Sequence, residues 1–162
     1  MPRHSNRAKQ RAGSQTPARA TARKRELGRY KSSLEKYCAD RLSELGISFA
    51  YEEAEFTLQE GFNYEGEYWK MTPKGKELLN KTGNAVLPIK YTPDFVGRDH
   101  NWIIETKGYT PSQHTFPLRW KLFLNYLYKE NKPLPALFIP KNKFQVDECL
   151  NIIKDLIKNG QI

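Results

Sequence analysis

The sequence has little cysteine and no long apolar run. Its two cysteines, Cys38 and Cys149, are too few for a disulfide scaffold and too far apart for a zinc knuckle, so a reducing cytosol is the expected compartment. The longest uninterrupted apolar run covers only residues 136–139, whereas a membrane-spanning helix requires roughly 20 residues. No apolar stretch follows the basic N-terminus. We therefore expect no transmembrane segment, no secretory signal and no membrane partner.

Acidic residues are almost missing from the N-terminal segment. Residues 1–31 contain ten of the 27 Lys and Arg residues but one of the 18 acids, so they carry the whole formal net charge of +9. They also lack Phe, Trp, Val and Ile, which predicts a disordered arm because little apolar surface can be buried. A basic arm of this kind can bind DNA phosphates without sequence preference, or it can simply be a solvated tail. Its cations are Arg3, Arg7, Lys9, Arg11, Arg19, Arg23, Lys24, Arg25, Arg29 and Lys31.

Residues 32–162 have the apolar periodicity of one folded domain. The patterns predict a helix from Ser32 to a stop at Gly46, a strand over 47–58, and further strands over 89–96 and 102–107. A second helix, a buried strand over 134–139 and a C-terminal helix over 146–157 follow, and the apolar stripe of the second helix is Leu118, Leu122, Tyr126 and Leu127. Residues 60–90 are interpreted as an insertion with a short helix at 73–81. The expected fold class is α/β, with a central mixed sheet flanked by helices.

Two acids and a lysine lie near the ends of neighbouring predicted strands. Pro93-Asp94 ends one strand, and the next contains Glu105-Thr106-Lys107. Strand alternation places Glu105 and Lys107 on one side and Thr106 on the other. If the strands form a hairpin, Asp94 lies beside Glu105, and two carboxylates about 4 Å apart repel by roughly 4 kcal/mol. A divalent cation removes that penalty, so the pattern predicts a Mg²⁺ site.

Simpler interpretations of these acids remain open. Glu35 could supply a third carboxylate, but Ser32-Ser33-Leu34-Glu35 also fits a capping box at the start of the first helix. Asp94 could be a turn residue after Pro93, and Glu105 with Lys107 an exposed charge pair.

Other chemically distinctive side chains are given structural interpretations. His100 and His114 are expected to be solvated loop residues rather than metal ligands or general bases. Trp69, Trp102 and Trp120 are interpreted as core residues rather than base-stacking platforms, and Cys38 as a packing residue.

The motifs resemble those of a known nuclease superfamily. Tyr91-Thr92-Pro93-Asp94-Phe95 together with Ile104-Glu105-Thr106-Lys107-Gly108 is similar to the PD-(D/E)XK signature. Tyr30-Lys31-Ser32-Ser33-Leu34-Glu35, the helix that follows and Phe49-Ala50-Tyr51-Glu52-Glu53 resemble the start of the phage-type endonuclease I family, which resolves DNA junctions. The resemblance covers about residues 30–108, apart from the insertion, and does not extend to the C-terminal third.

The resemblance implies a fold and an activity. The fold is a PD-(D/E)XK core of the order αβββαβ. The activity is that of a Mg²⁺-dependent endodeoxyribonuclease, with Mn²⁺ as a substitute, that acts on DNA including branched DNA, as a homodimer, in the host cytoplasm if phage-encoded. A duplex-nicking or sequence-tolerant endonuclease of the same fold is an alternative, as is a non-catalytic DNA-binding protein. The implied catalytic residues are Glu35, Asp94, Glu105 and Lys107, and the implied metal ligands are Asp94, Glu105, the Thr106 carbonyl and Glu35.

Overall fold

The computed structural model describes residues 27–108, 115–130 and 132–162. Residues 1–26 of the predicted basic arm lie outside these ranges, so the prediction that the arm is disordered falls outside them as well. The helices of the described part are α1 (Ser33–Glu44), α2 (Phe116–Lys129) and α3 (Lys143–Lys158). Its strands are β1 (Phe49–Tyr51), β2 (Phe56–Gln59), β3 (Phe62–Asn63), β4 (Trp69–Met71), β5 (Leu78–Asn80), β6 (Ala85–Val86), β7 (Ile89–Tyr91), β8 (Phe95–Gly97), β9 (Trp102–Ile104) and β10 (Ala136–Phe138).

A four-stranded mixed sheet forms the centre of the molecule. Its strand order is β1-β8-β9-β10. β8 pairs antiparallel with both β1 and β9, whereas β10 pairs parallel with β9. The parallel pair requires a long crossover connection, and α2 lies within it. The predicted α/β class with a mixed sheet is therefore confirmed.

Helices cover both faces of this sheet because its strands are apolar on both sides. Phe95, Trp102 and Ile104 point to the face that packs against α1 and α3. Val96 and Ile103, which alternate with them, point to the opposite face and pack with Phe123 of α2. Trp102 is thus a core residue, as predicted, and so is Cys38 in α1, which is fully buried.

The first helix begins and ends at its predicted signals. The Ser32 side chain accepts a hydrogen bond from the Glu35 amide at 3.1 Å, which satisfies one of the free N–H groups of the first turn. After the C-cap at Leu45, Gly46 has a φ of 67°, a left-handed conformation that glycine adopts without a steric penalty. These caps fix where α1 presents Glu35.

Two predicted strands are each divided in the structure. The strand expected over 47–58 is wrong, because Glu52 has a φ of 52° and the chain continues as β1 and β2 in different sheets. The strand expected over 89–96 is broken between β7 and β8, where Pro93 has no N–H to donate to a neighbouring strand. The two breaks lie side by side, because β1 pairs with β8 on one side of them and β2 pairs with β7 on the other.

The insertion contains strands and not the predicted helix. β3 pairs with β6 and β4 with β5, so residues 62–86 form a two-stranded antiparallel ribbon. Pro73 and Gly75 lie in the turn at its tip, where the Thr72 amide donates to the Glu77 carbonyl at 2.9 Å. Turn formation by these residues explains why the helix expected at 73–81 is wrong. Trp69, interpreted as a core residue, is 52% exposed on the ribbon.

The remaining helices also differ in detail from their apolar patterns. Phe123 is the fully buried residue of α2, whereas Leu118, part of the predicted apolar stripe, is exposed. In α3 the buried residues are Val146, Leu150 and Ile153. No helix within 27–108, 115–130 and 132–162 is long and apolar enough to cross a membrane.

Candidate functional site

The candidate site is built where β8 and β9 stop pairing. Phe95 and Ile104 are the last paired residues, so Asp94 and Glu105 lie opposite each other one position further along. The Asp94 amide donates to Glu105 Oε2 at 3.2 Å. This contact places two carboxylates at one end of the sheet, as the hairpin argument predicted.

Thr106 fixes the Asp94 carboxylate. Its backbone amide and its hydroxyl both donate to Asp94 Oδ2, at 2.7 and 2.6 Å. Strict strand alternation predicted that Thr106 would point away from this group. Thr106 makes these contacts although the Glu105 and Lys107 amides donate to the Phe138 and Pro140 carbonyls at 2.9 Å, which continues the strand's hydrogen-bond pattern past Ile104.

Lys107 lies against Glu105. Its Nζ forms an ion pair with Glu105 Oε1 and lies 4.2 Å from the centre of the Phe116 ring. Glu105 is 4% exposed, so this pair is buried and is not the exposed charge pair considered as an alternative. Phe116 and Glu105 together hold the ammonium group at the site.

Glu35 combines a capping position with a place in the site. Its amide is capped by Ser32, but its Oε2 accepts from the Lys31 amide at 2.8 Å, one residue earlier than a capping box requires. The same oxygen accepts from the Tyr51 hydroxyl at 2.5 Å. A carboxylate held by two donors in a buried position is oriented and not merely a solvated helix residue.

These groups line one cavity of about 570 Å³. The predicted site residues in its wall are Glu35, Asp94, Glu105, Thr106 and Lys107. Sequence reasoning gave no role to several other lining residues, namely Glu52, Tyr91, Phe116 and Arg119. Tyr91 could have been predicted, because it lies only three residues before Asp94. Arg119 could not, because it reaches the cavity only through the packing of α2.

The site favours protonation of one acid. Burial, followed by the charge of Glu105, raises the pKa of Asp94 from 3.8 to about 7, although the Thr106 hydroxyl contact acts in the opposite direction. Burial and then Glu105 also raise the pKa of Tyr91. Burial and then the hydrogen bond to Glu35 do the same for Tyr51. An added positive charge would relieve the repulsion between Asp94 and Glu105.

The carboxylates of the site fit the chemistry of Mg²⁺. Within the described ranges, no group of three or more His, Cys, Asp or Glu side chains is placed to hold a metal ion. Mg²⁺, however, commonly uses one or two protein carboxylates and completes its shell with water and substrate phosphates. Asp94 and Glu105 meet that requirement, and Glu35 lies in the same cavity wall with its Oε2 bound to Tyr51 and the Lys31 amide.

The remaining predicted site residues are spread over different parts of the chain. Lys31 lines the cavity and pairs with Glu52, and the Arg29 guanidinium lies 5.3 Å from the Tyr30 ring centre. The predicted DNA-binding cations outside the described ranges are Arg3, Arg7, Lys9, Arg11, Arg19, Arg23, Lys24 and Arg25. Of the two histidines predicted to be solvated loop residues, His100 is exposed and lines a different cavity, and His114 lies outside the described ranges.

No protein-family model, curated protein or solved structure matches the chain. The resemblance to the nuclease superfamily therefore depends on the motif residues themselves.

Proposed function

We propose that the chain is a Mg²⁺-dependent endodeoxyribonuclease with a PD-(D/E)XK core. The observation that carries the proposal is the grouping of Asp94, Glu105 and Lys107 in one cavity, with Glu35 in its wall. The order of α1, the central strands and α2 supports the core assignment, since it follows the αβββαβ order of that superfamily. The basic segment before α1 supports a polyanionic substrate.

Asp94 and Glu105, with the Thr106 carbonyl, would hold the cation. When bound, it would supply positive charge that polarises the scissile phosphate and steadies the leaving oxygen. The Thr106 amide and hydroxyl keep one Asp94 oxygen fixed, which leaves the orientation of the other defined. Glu35 would be the third acidic residue of the site. It is held in the cavity wall by its contacts with Tyr51 and the Lys31 amide.

Lys107 would act on the phosphate and the attacking water. Its ammonium group is held between Glu105 and the Phe116 ring, so little reorganisation is needed when negative charge develops on the phosphate oxygens. Its three N–H donors allow it to keep the Glu105 contact while donating to water or phosphate. This is electrostatic stabilisation by a positioned cation.

Cleavage of supercoiled plasmid tests the proposal. We expect the wild-type protein to cut in Mg²⁺ and not in EDTA, and Glu105→Ala to abolish cutting while DNA binding is retained. Glu148→Ala is the matched control, because Glu148 is exposed on α3 and does not line the cavity. Metal-independent cutting, or equal cutting by Glu105→Ala, would reject the proposal. Binding without any cutting would favour a non-catalytic DNA-binding protein.

A second comparison addresses the DNA structure. The resemblance to junction-resolving enzymes leads us to expect faster cleavage of a four-way junction than of its linear duplex arms. Equal rates on both substrates would identify a sequence-tolerant or nicking duplex endonuclease of the same fold. Sedimentation of the protein alone would test the implied homodimer.

A further inference from the structure

The wall of the cavity formed by α2 differs in charge from the wall that carries the acids. Thr115, Phe116 and Arg119 line this wall. α2 has no acidic residue in its first turn and no side-chain cap from Thr115. Pro117 in the first turn has no N–H, but the other first backbone N–H groups lack internal partners, so this end presents partial positive charge to the cavity.

Arg119 is a fixed cation on this wall. Its Nη2 donates to the Lys90 carbonyl at 3.2 Å, and its guanidinium lies 5.6 Å from the centre of the Tyr91 ring. The other two cations of the cavity are neutralised, Lys31 by Glu52 and Lys107 by Glu105. Arg119 forms no ion pair with any residue in the described part of the chain, so its charge and several of its donors remain for a ligand.

The Tyr91 hydroxyl is a second, independent sign of a missing partner. Tyr91 is 2% exposed, and its hydroxyl has no hydrogen-bond partner of acceptable geometry among the described residues. Glu105 is close enough to act on it electrostatically but does not complete a hydrogen bond. A buried hydroxyl without a partner is costly, and such groups are usually satisfied by a ligand or water.

We propose that Arg119, the Tyr91 hydroxyl and the first turn of α2 form a subsite for a DNA phosphate next to the scissile one. The inference rests on the proposed function for the identity of the ligand. A guanidinium fork and helix N–H groups match the oxygens of a phosphate. All these groups line the same cavity as Asp94 and Glu105, so a phosphate bound there would help to align the strand at the acids.

Binding of a fluorescent duplex oligonucleotide in EDTA, measured over a series of salt concentrations, tests the subsite without metal or turnover. Arg119→Ala should lower affinity and reduce the slope of log affinity against log salt by about 1, since one phosphate contact is lost. Arg119→Lys should keep the slope because it keeps the charge. Tyr91→Phe should weaken binding without changing the slope.

Lys121→Ala is the matched control, because Lys121 is an exposed cation of the same helix that does not line the cavity. Its slope should fall less than that of Arg119→Ala. Circular dichroism of each variant checks that the fold is retained, and Arg119→Lys keeps the test decisive if Arg119→Ala unfolds. An unchanged slope in a folded Arg119→Ala protein would overturn the subsite.

Calorimetry with inorganic phosphate distinguishes a site for a DNA phosphate from a site for a free anion. Arg119-dependent binding of free phosphate, with an unchanged DNA slope, would overturn a DNA subsite and identify a free-anion site. The plasmid assay separates this inference from the proposed function. Wild-type cleavage with no effect of Arg119 on DNA binding would overturn the subsite alone, whereas an Arg119-dependent slope without cleavage would overturn the nuclease proposal alone.

Discussion

The central sheet and the ribbon are both β structure, yet they bury their side chains very differently. Phe95 and Ile104 in the central sheet are fully buried between helices. Met71 and Leu78 face each other across the ribbon and are 53% and 58% exposed. A strand buries apolar side chains only where a second layer covers it, and the ribbon has none among the described elements.

The same difference explains where the candidate site lies. Carboxylates acquire unusual properties only where neighbouring structure excludes water from them. Asp94 and Glu105 emerge from a sheet covered on both faces, so their charges interact strongly. The acids of the ribbon, such as Glu65 and Glu77, are exposed to solvent. Burial therefore raises the pKa of a carboxyl group at the end of the central sheet, whereas the acids of the ribbon remain in solvent.

Replacing one aromatic residue in each region by alanine should show the largest difference in stability between the central sheet and the ribbon. Phe95→Ala should reduce the free energy of unfolding by about 3–5 kcal/mol, because it leaves a cavity in the core. Trp69→Ala on the ribbon should change it by less than about 0.5 kcal/mol. Urea unfolding measures both. Equal losses would show that the ribbon is buried against something in solution.

Protonation of Asp94 should make the free energy of unfolding depend on pH. Because the pKa of Asp94 is raised to about 7 on folding, the stabilisation from its protonated form is present below about pH 4 and lost as the pH rises to 7. In the absence of metal, Asp94→Asn should therefore be more stable than the wild type at pH 8, by about 2–4 kcal/mol.

That advantage should nearly vanish at pH 4, where the wild-type carboxyl is protonated. Urea unfolding at the two pH values checks this. Mg²⁺ at pH 8 should stabilise the wild type and not Asp94→Asn, since it compensates the charge that the variant lacks. A difference independent of pH would contradict the burial of a charged Asp94.

Removal of the ribbon should have the smallest effect. Gln59 and Ile89 are paired residues of β2 and β7, so residues 60–88 can be replaced by Asn-Gly, which favours a two-residue hairpin turn. The shortened protein should fold with a free energy of unfolding within about 1 kcal/mol of the full chain, since the ribbon adds little burial. Thermal unfolding followed by circular dichroism tests this, and failure to fold would contradict the separation of the two regions.

Local sequence signals predicted the parts of the fold that depend on local physics. Ser32 and Gly46 bound α1 because capping and left-handed glycine require few neighbours. Glu105 and Lys107 could be placed together because they are two residues apart, and Asp94 because one turn joins its strand to theirs.

Features that depend on distant packing could not be predicted. The left-handed Glu52 divides β1 from β2 with no glycine to mark the break. Tyr51 binds Glu35, and Arg119 joins the cavity, only because the sheet brings separate elements together. Trp69 on the exposed ribbon was wrongly predicted to be a core residue, because it has the same apolar character as the buried Trp102.

Single-turnover cleavage by Lys107→Ala tests the central claim most directly. With protein in excess over plasmid and DNA binding measured in parallel, loss of the positioned ammonium group should slow cleavage at least about 100-fold while affinity changes little. Lys154→Ala, which removes an exposed cation of α3 outside the site cavity, should cut at the wild-type rate. A Lys107→Ala protein that binds and cuts DNA like the wild type would contradict the assignment of this cavity as the hydrolytic site.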